Sequence, residues 1–152
     1  MIAQVRKLIS GGQTGVDRAA LDVAIALGIP HGGWCPAGRL AEDGRIPHHY
    51  QVEETESPDY HVRTERNVRD ADGTLVVCAG APTGGTALTC RLARAHAKPL
   101  LVWNVDGDLD AAAVRQWLRD HAISTLNVAG PRESTMPGIY ARACGRLREL
   151  LA

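Results

Sequence analysis

The chain has 152 residues, 45% of them hydrophobic and 22% charged, with a formal net charge of zero. That is the make-up of one soluble globular domain, 1–152, built around one core. No apolar run approaches the roughly 20 residues a bilayer crossing needs, and the arginines are scattered among acids rather than gathered on a basic face, so neither a membrane nor nucleic acid is an expected partner.

The N-terminus, MIAQVRKLIS, lacks the n-region, h-region and cleavage pattern of a secretory signal, so a cytoplasmic location is expected. Residues 5–10 read as a short apolar strand that runs into Gly11-Gly12-Gln13-Thr14-Gly15. A helix follows over 16–27, where Val16, Ala20, Val23, Ala24 and Leu27 make an apolar stripe at helical spacing, and Gly28 is placed to cap it. Residues 29–34 read as a second strand. The polar stretch 35–57 is too long for an ordinary connection, so it is either a functional loop or hides a short strand near 51–54. Ser57-Pro58-Asp59 combines a cap, a proline and an acid, and starts a helix over 60–71. TLVVC at 74–78 is a third, buried strand, followed by a glycine-rich turn and a helix over 86–97 that Pro99 stops. Then come a strand at 100–104, a helix at 110–121, a strand at 125–129, a loop at 130–136 and a closing helix over 137–151 with Tyr140, Ala143, Cys144, Leu147 and Leu150 facing inward. Cys35, Cys78, Cys90 and Cys144 form no C-x-x-C pair and match no zinc spacing. The last three sit in apolar patterns and read as reduced core cysteines.

Near-continuous apolar strands with helices between them imply an α/β, Rossmann-like open parallel sheet of about five strands with helices on both faces. The expected strand order is 2-1-3-4-5, which places a ligand beyond the carboxyl ends of strands 1 and 3, where the winding reverses. Both glycine-rich turns lie at those ends.

Five constellations could carry chemistry. Gly11, Gly12, Gln13, Thr14 and Gly15 join a strand to a helix. Glycines there allow close backbone approach, and the helix start offers unpaired N–H groups to a phosphate. Thr83, Gly84, Gly85 and Thr86 repeat the arrangement, with Thr86 also a candidate helix cap; either turn could instead serve packing alone. At the end of the second strand, Trp34 either stacks on a flat heterocycle or plugs the sheet end, and Arg39 either pairs with a phosphate or is solvated. Cys35 beside them reads as an unreactive thiol. On the second helix Arg63, Asn67 and Asp70 share a face that either looks toward the ligand or is a solvated charged surface. The loop 130–134 reads as a surface loop that could close over the site or meet a partner subunit. His31, His48 and His49 offer no coherent metal set, Glu42-Asp43 reads as a solvated loop, and no nucleophile stands beside a base.

The stretches ISGGQTGVDRAALDVAIALGIPHGGWCPAGRLAEDGRIP, YHVRTERNVRDADGTLVV, PTGGTALT and LNVAGPRES-x-x-PGIY closely resemble the putative molybdenum carrier protein family, in order from about Leu8 to Leu151. That family is similar to the wider Rossmann-like nucleotide-ligand group, which includes the Lonely-Guy phosphoribohydrolases and DNA-processing protein A. The resemblance implies a homo-oligomer that binds the molybdenum cofactor, a pterin dithiolene with a terminal phosphate, and exchanges it with molybdoenzymes or cofactor-synthesis proteins. Gly11, Gly12, Gln13, Thr14, Gly84, Gly85 and Thr86 would meet the phosphate, with Trp34, Arg39 and Arg63 toward the rest of the ligand. It implies a carrier rather than an enzyme. The phosphoribohydrolase pattern P-G-G-x-G-T-x-x-E would put its glutamate near Leu88 and Thr89, and neither is acidic, although Asp17 or Glu65 could supply an acid from elsewhere. A nucleotide-processing enzyme and a sensor of a nucleotide-derived ligand are the alternatives.

Overall fold

The computed structural model describes residues 5–152; residues 1–4, on which the reading of the N-terminus partly rests, lie outside the described residues. In chain order the elements are β1 (Lys7–Ile9), α1 (Val16–Leu27), β2 (His31–Gly32), β3 (Trp34–Cys35), β4 (Leu40–Ala41), β5 (Gly44–Arg45), β6 (Glu53–Glu54), α2 (Tyr60–Asp70), β7 (Gly73–Cys78), α3 (Gly84–Ala95), β8 (Leu100–Asn104), α4 (Ala111–Asp120), β9 (Thr125–Ala129) and α5 (Ile139–Leu151). Five strands form an all-parallel sheet in the order β2-β1-β9-β7-β8. The α/β, Rossmann-like class stands as the sequence reading has it.

The strand order does not. The expected 2-1-3-4-5 seats β1 beside β7. Instead β9, the last strand in sequence, lies between them, with Leu8 opposite Leu126 and Leu75 opposite Val128. Apolar runs report that strands are buried on both faces but not which strands pair, and TLNVA is as apolar as its neighbours. The correction matters for the site, because three adjacent strand ends now deliver three loops to one edge of the sheet.

β7 separates the two layers. Leu75 and Val77 join α1, α4 and α5 in the main core, while Val76 and Cys78 pack with Cys90 of α3 on the opposite face. α2 lies against α3 on that second face. Burial of side chains such as Trp103, Leu126 and Leu147, each worth about 1.5–3 kcal/mol, fixes the sheet that carries the loops. On α5, Ala143, Leu147 and Leu150 are buried as expected, but Cys144 is half-buried and Tyr140 is exposed, its place inside taken by Ile139.

Local signals set the helix ends. Gly28 adopts the left-handed conformation and returns its N–H to Ala24 O and Ile25 O. Asp59, rather than Ser57, caps α2 by accepting from His61 N. α3 begins at Gly84, two residues before the expected start, with Thr83 as its cap residue. The stretch 35–57 holds the short strand expected near 51–54, β6, which pairs in parallel with β3, and β4 pairs with β5 as a small hairpin. Among the described residues no helix is long and apolar enough to cross a membrane.

Candidate functional site

The loops after β1, β7 and β9, together with one face of α2, enclose a cavity of about 160 Å³ at the carboxyl edge of the sheet. Gly11, Gln13 and Asp17 come from the first turn and α1, Ala81 through Thr86 from the second turn, and Gly130 through Arg132 from the third loop. Tyr60, Arg63 and Asn67 supply the α2 wall. Gly130 is where the β9 loop passes closest to its neighbours: a Cβ there would collide with Val77 O and with Val16.

The two glycine-rich turns differ in what they offer. Thr83 caps α3 with no side-chain hydrogen bond, and its carbonyl accepts from Thr86 N at 3.1 Å and Ala87 N at 3.2 Å. The Gly84 and Gly85 amides therefore start the helix with no partner among the described residues. A Cβ at either glycine would meet nothing within 4 Å, and both glycines line the cavity. The first turn is satisfied internally at several of its amides. Gln13 N donates to Asp17 Oδ2 at 3.2 Å, Thr14 N to Gln13 Oε1 at 3.0 Å, and Val16 N to Pro131 O at 3.2 Å. Its positive helix end is spent on the β9 loop.

A side-chain donor of that turn also lacks a partner. Gln13 Oε1 accepts from both Thr14 N and Glu42 N, at 3.0 and 2.8 Å, which fixes the amide's orientation. Gln13 Nε2 is then buried with no partner among the described residues. An unsatisfied buried donor of this kind costs about 1–3 kcal/mol.

The cavity is cationic on balance. Arg63 is buried, donates to Gly11 O at 2.8 Å, and lies 5.0 Å from the Tyr60 ring centroid. Arg132 approaches the same ring at 5.5 Å. Neither has a carboxylate within salt-bridge distance among the described residues. Burial pushes the Asp17 carboxyl up to about 6 against the pull of Arg63, the Gln13 amide, Arg18 and Arg132.

Of the sequence-predicted residues, Gly11, Gln13, Arg63, Asn67, Thr83, Gly84, Gly85 and Thr86 are brought together around the cavity. Gly12, Thr14 and Gly15 are not, and they build the turn behind it. Trp34 and Arg39 also lie elsewhere. The Trp34 indole donates to Asp70 Oδ2 at 2.8 Å and stacks under Arg66 at 5.1 Å, while Asn67 clamps the Trp34 backbone through two hydrogen bonds. Arg39 is buried and donates to the carbonyls of Ile46, Pro47, Tyr50 and Val52. It is a staple for the 39–52 loop rather than a wall of the cavity. Burial pushes the Cys35 thiol up, consistent with its reading as unreactive. The loop at 130–136 lines the cavity and is tied to the first turn and to Glu42, with Glu133 N bonded to Thr14 Oγ1 at 3.2 Å and Ser134 bonded to Glu42.

Asp17, Tyr60, Asn127 and Arg132 line the cavity and were not among the predicted residues. Asp17 had a sequence signal: an acid on the buried side of α1, one turn before Ala20 and two before Ala24. Arg132 belongs to the 130–134 loop, for which closing over the site was one of the sequence alternatives, though Arg132 itself was not named as a contact. Among the described residues no group of three or more His, Cys, Asp or Glu side chains is placed to hold a metal ion.

Comparison with known proteins adds two findings. The profile of the family described as the circularly permutated YpsA SLOG family matches residues 8–151. The crystal structure of the putative molybdenum carrier protein from Syntrophus aciditrophicus SB is similar over 100% of this chain and 98% of its own, at 46% identity and a TM-score of 0.97. No curated protein matches.

Proposed function

The chain belongs to the circularly permutated YpsA SLOG family, and from that membership we propose that it is a binding protein for a phosphate-bearing anionic small molecule, the molybdenum cofactor, which it carries rather than transforms. The observation that supports this most is the uncapped start of α3. Two unpartnered amides and the positive end of the helix border the cavity that Arg63 and Arg132 also line. Gln13, whose Nε2 has no partner among the described residues, lines the same cavity. Such a set suits a phosphate. A cavity of about 160 Å³ falls short of the roughly 300–1,000 Å³ of sites that enclose a whole drug-sized ligand. The enclosed part would thus receive the phosphate end, with the pterin extending outward past the α2 and β9-loop walls. Holding would rest on preorganised donors and exclusion of water. We place the carrier in the cytoplasm as a homo-oligomer that passes its ligand to molybdoenzymes.

Gly85→Asp tests the reading. The new Cβ has free space, and an acid in the first turn favours the helix, so the fold should persist. Its carboxylate would take the place of the ligand's phosphate. Native mass spectrometry without oxygen should show the wild-type chain gaining the mass of the added cofactor, with subunit count in the same spectrum, and the variant gaining none. Equal ligand uptake by both proteins would refute the site.

One observation favours a nucleotide-hydrolysing reading: Asp17 brings a carboxyl into the cavity, although Leu88 and Thr89, on its α3 wall, are not acidic. Release of free base from nucleoside monophosphates by the purified protein would decide for it.

A further inference from the structure

Asp17 is the single carboxylate among the residues that line the cavity, and it is only 7% exposed. Its oxygen and the Arg63 guanidinium converge on Gly11. A Cβ there would lie 3.0 Å from Asp17 Oδ2 and 2.5 Å from Arg63 Nη1. The charged groups around it are Arg63 from α2, Arg132 from the β9 loop, and Arg18 on its own helix. Arg18 is already engaged by Asp43 and by Gly12 O. Gln13 N occupies one of its oxygens, Asn127 of β9 and Tyr60 of α2 are neutral, and α3 brings only its helix start. An ionised Asp17 would therefore face any bound oxyanion as a like charge in a desolvated space.

Resting on the reading of this cavity as an anion site, we propose that Asp17 is a ligand-contacting residue that meets the bound oxyanion as the neutral acid, so that each dianionic ligand enters together with one proton. The proton comes from solvent and stays on the carboxyl, which then donates a hydrogen bond to the oxyanion; no covalent bond changes. The site would thereby prefer ligand and proton as a pair, and give up the ligand as the medium becomes alkaline. Burial has already moved Asp17 to about 6 before any ligand arrives, and a dianion beside it moves it higher. Affinity for a dianion is then full below that starting value. It falls about tenfold per pH unit above it, until the value in the complex is passed.

Sulfate is the probe, because it keeps both charges across the range and any proton taken up belongs to the protein. Calorimetric titrations from about pH 5.5 to 8.5, in two buffers of different ionisation enthalpy, give affinity and protons bound together. The wild type should lose about tenfold in affinity per unit over the first unit or two above about pH 6 and take up close to one proton per sulfate. Asp17→Asn keeps an oxygen for Gln13 N and removes the charge. It should bind with a pH-independent affinity near the wild type's acidic value and take up no proton. Gly85→Asp should bind no sulfate, which locates the event. Sulfate binding by the wild type with flat affinity and no proton uptake would overturn the role of Asp17 and leave the anion site standing, as would loss of binding in a folded Asp17→Asn. No sulfate binding by the wild type at about pH 5.5, or unimpaired binding by Gly85→Asp, would overturn the anion site and the role of Asp17 together.

Discussion

Replacing Arg39 by methionine separates a stabilising role from a ligand-binding one. Arg39 is 8% exposed and holds a positive φ of 54°. Its guanidinium donates to Ile46 O at 3.0 Å, Val52 O at 3.0 Å, Pro47 O at 2.8 Å and Tyr50 O at 3.1 Å. A hydrogen bond from a charged donor contributes about 1.5–3 kcal/mol, but keeping the guanidinium out of water costs several kcal/mol in return. Methionine retains most of the apolar stem and leaves four carbonyls to find water. The net loss should be about 3–4 kcal/mol, a fall of roughly 10 °C in Tm for a domain of this size. Ile46, Tyr50 and Val52 pack with Leu21 and Cys35 in a satellite core, so hydrogen exchange should quicken at the Ile46 and Val52 amides while β7 stays protected. Sulfate affinity of the folded variant should match the wild type, because Arg39 does not line the cavity. A variant that keeps its Tm within about 1 °C, or that stays folded but loses the anion, would refute this account and return Arg39 to the ligand.

Gly15→Ala and Gly84→Ala should differ sharply. At Gly15, φ is 77° and a Cβ would press on Pro131 O, on Glu133 N at 2.8 Å and on Arg132 C at 2.9 Å, all backbone. Loss of about 3 kcal/mol or more in urea unfolding is expected there, against about 1 kcal/mol at Gly84, where only the positive φ opposes alanine; the reverse ranking would show the β9 loop to be loosely held. Asp17→Asn should raise stability at about pH 7.5 by about 2–3 kcal/mol in the absence of ligand. The folded value of about 6 exceeds the ordinary 3.8, so the neutral form's advantage is whole below 3.8 and is lost as pH rises through 6. Urea midpoints that stay equal for the two proteins from about pH 4 to 8 would show that Asp17 ionises without strain.

Much of this architecture is legible residue by residue, because the signals are local. Gly28 ends α1 and Asp59 starts α2 through bonds that reach only a few residues along the chain. The glycine-rich segments at 11–15 and 83–86 lie between strand and helix, and turn chemistry alone announces that. The apolar run at 74–78 could be assigned to a strand buried on both faces before any partner was known. Family membership was legible too, since it rests on long contiguous motifs. The division of labour between the two turns was not. Both carry the same glycine-rich spelling, yet three amides of one go to Asp17, Gln13 and Pro131 while Gly84 N and Gly85 N of the other have no partner among the described residues.

Sequence alone thus determined the main helices and strands, the Gly28 cap, the α/β class and the strand-to-helix position of the two glycine-rich turns, since each follows from spacing within a few residues. Tertiary structure decided the rest: that β9 lies between β1 and β7, that Arg132 reaches the cavity, that Arg39 spends its charge on four carbonyls, and that burial pushes the Asp17 carboxyl up to about 6. The physical reason is common to all four. Strand neighbours, burial and the partners of a long side chain depend on segments tens of residues apart, and no local pattern carries that information.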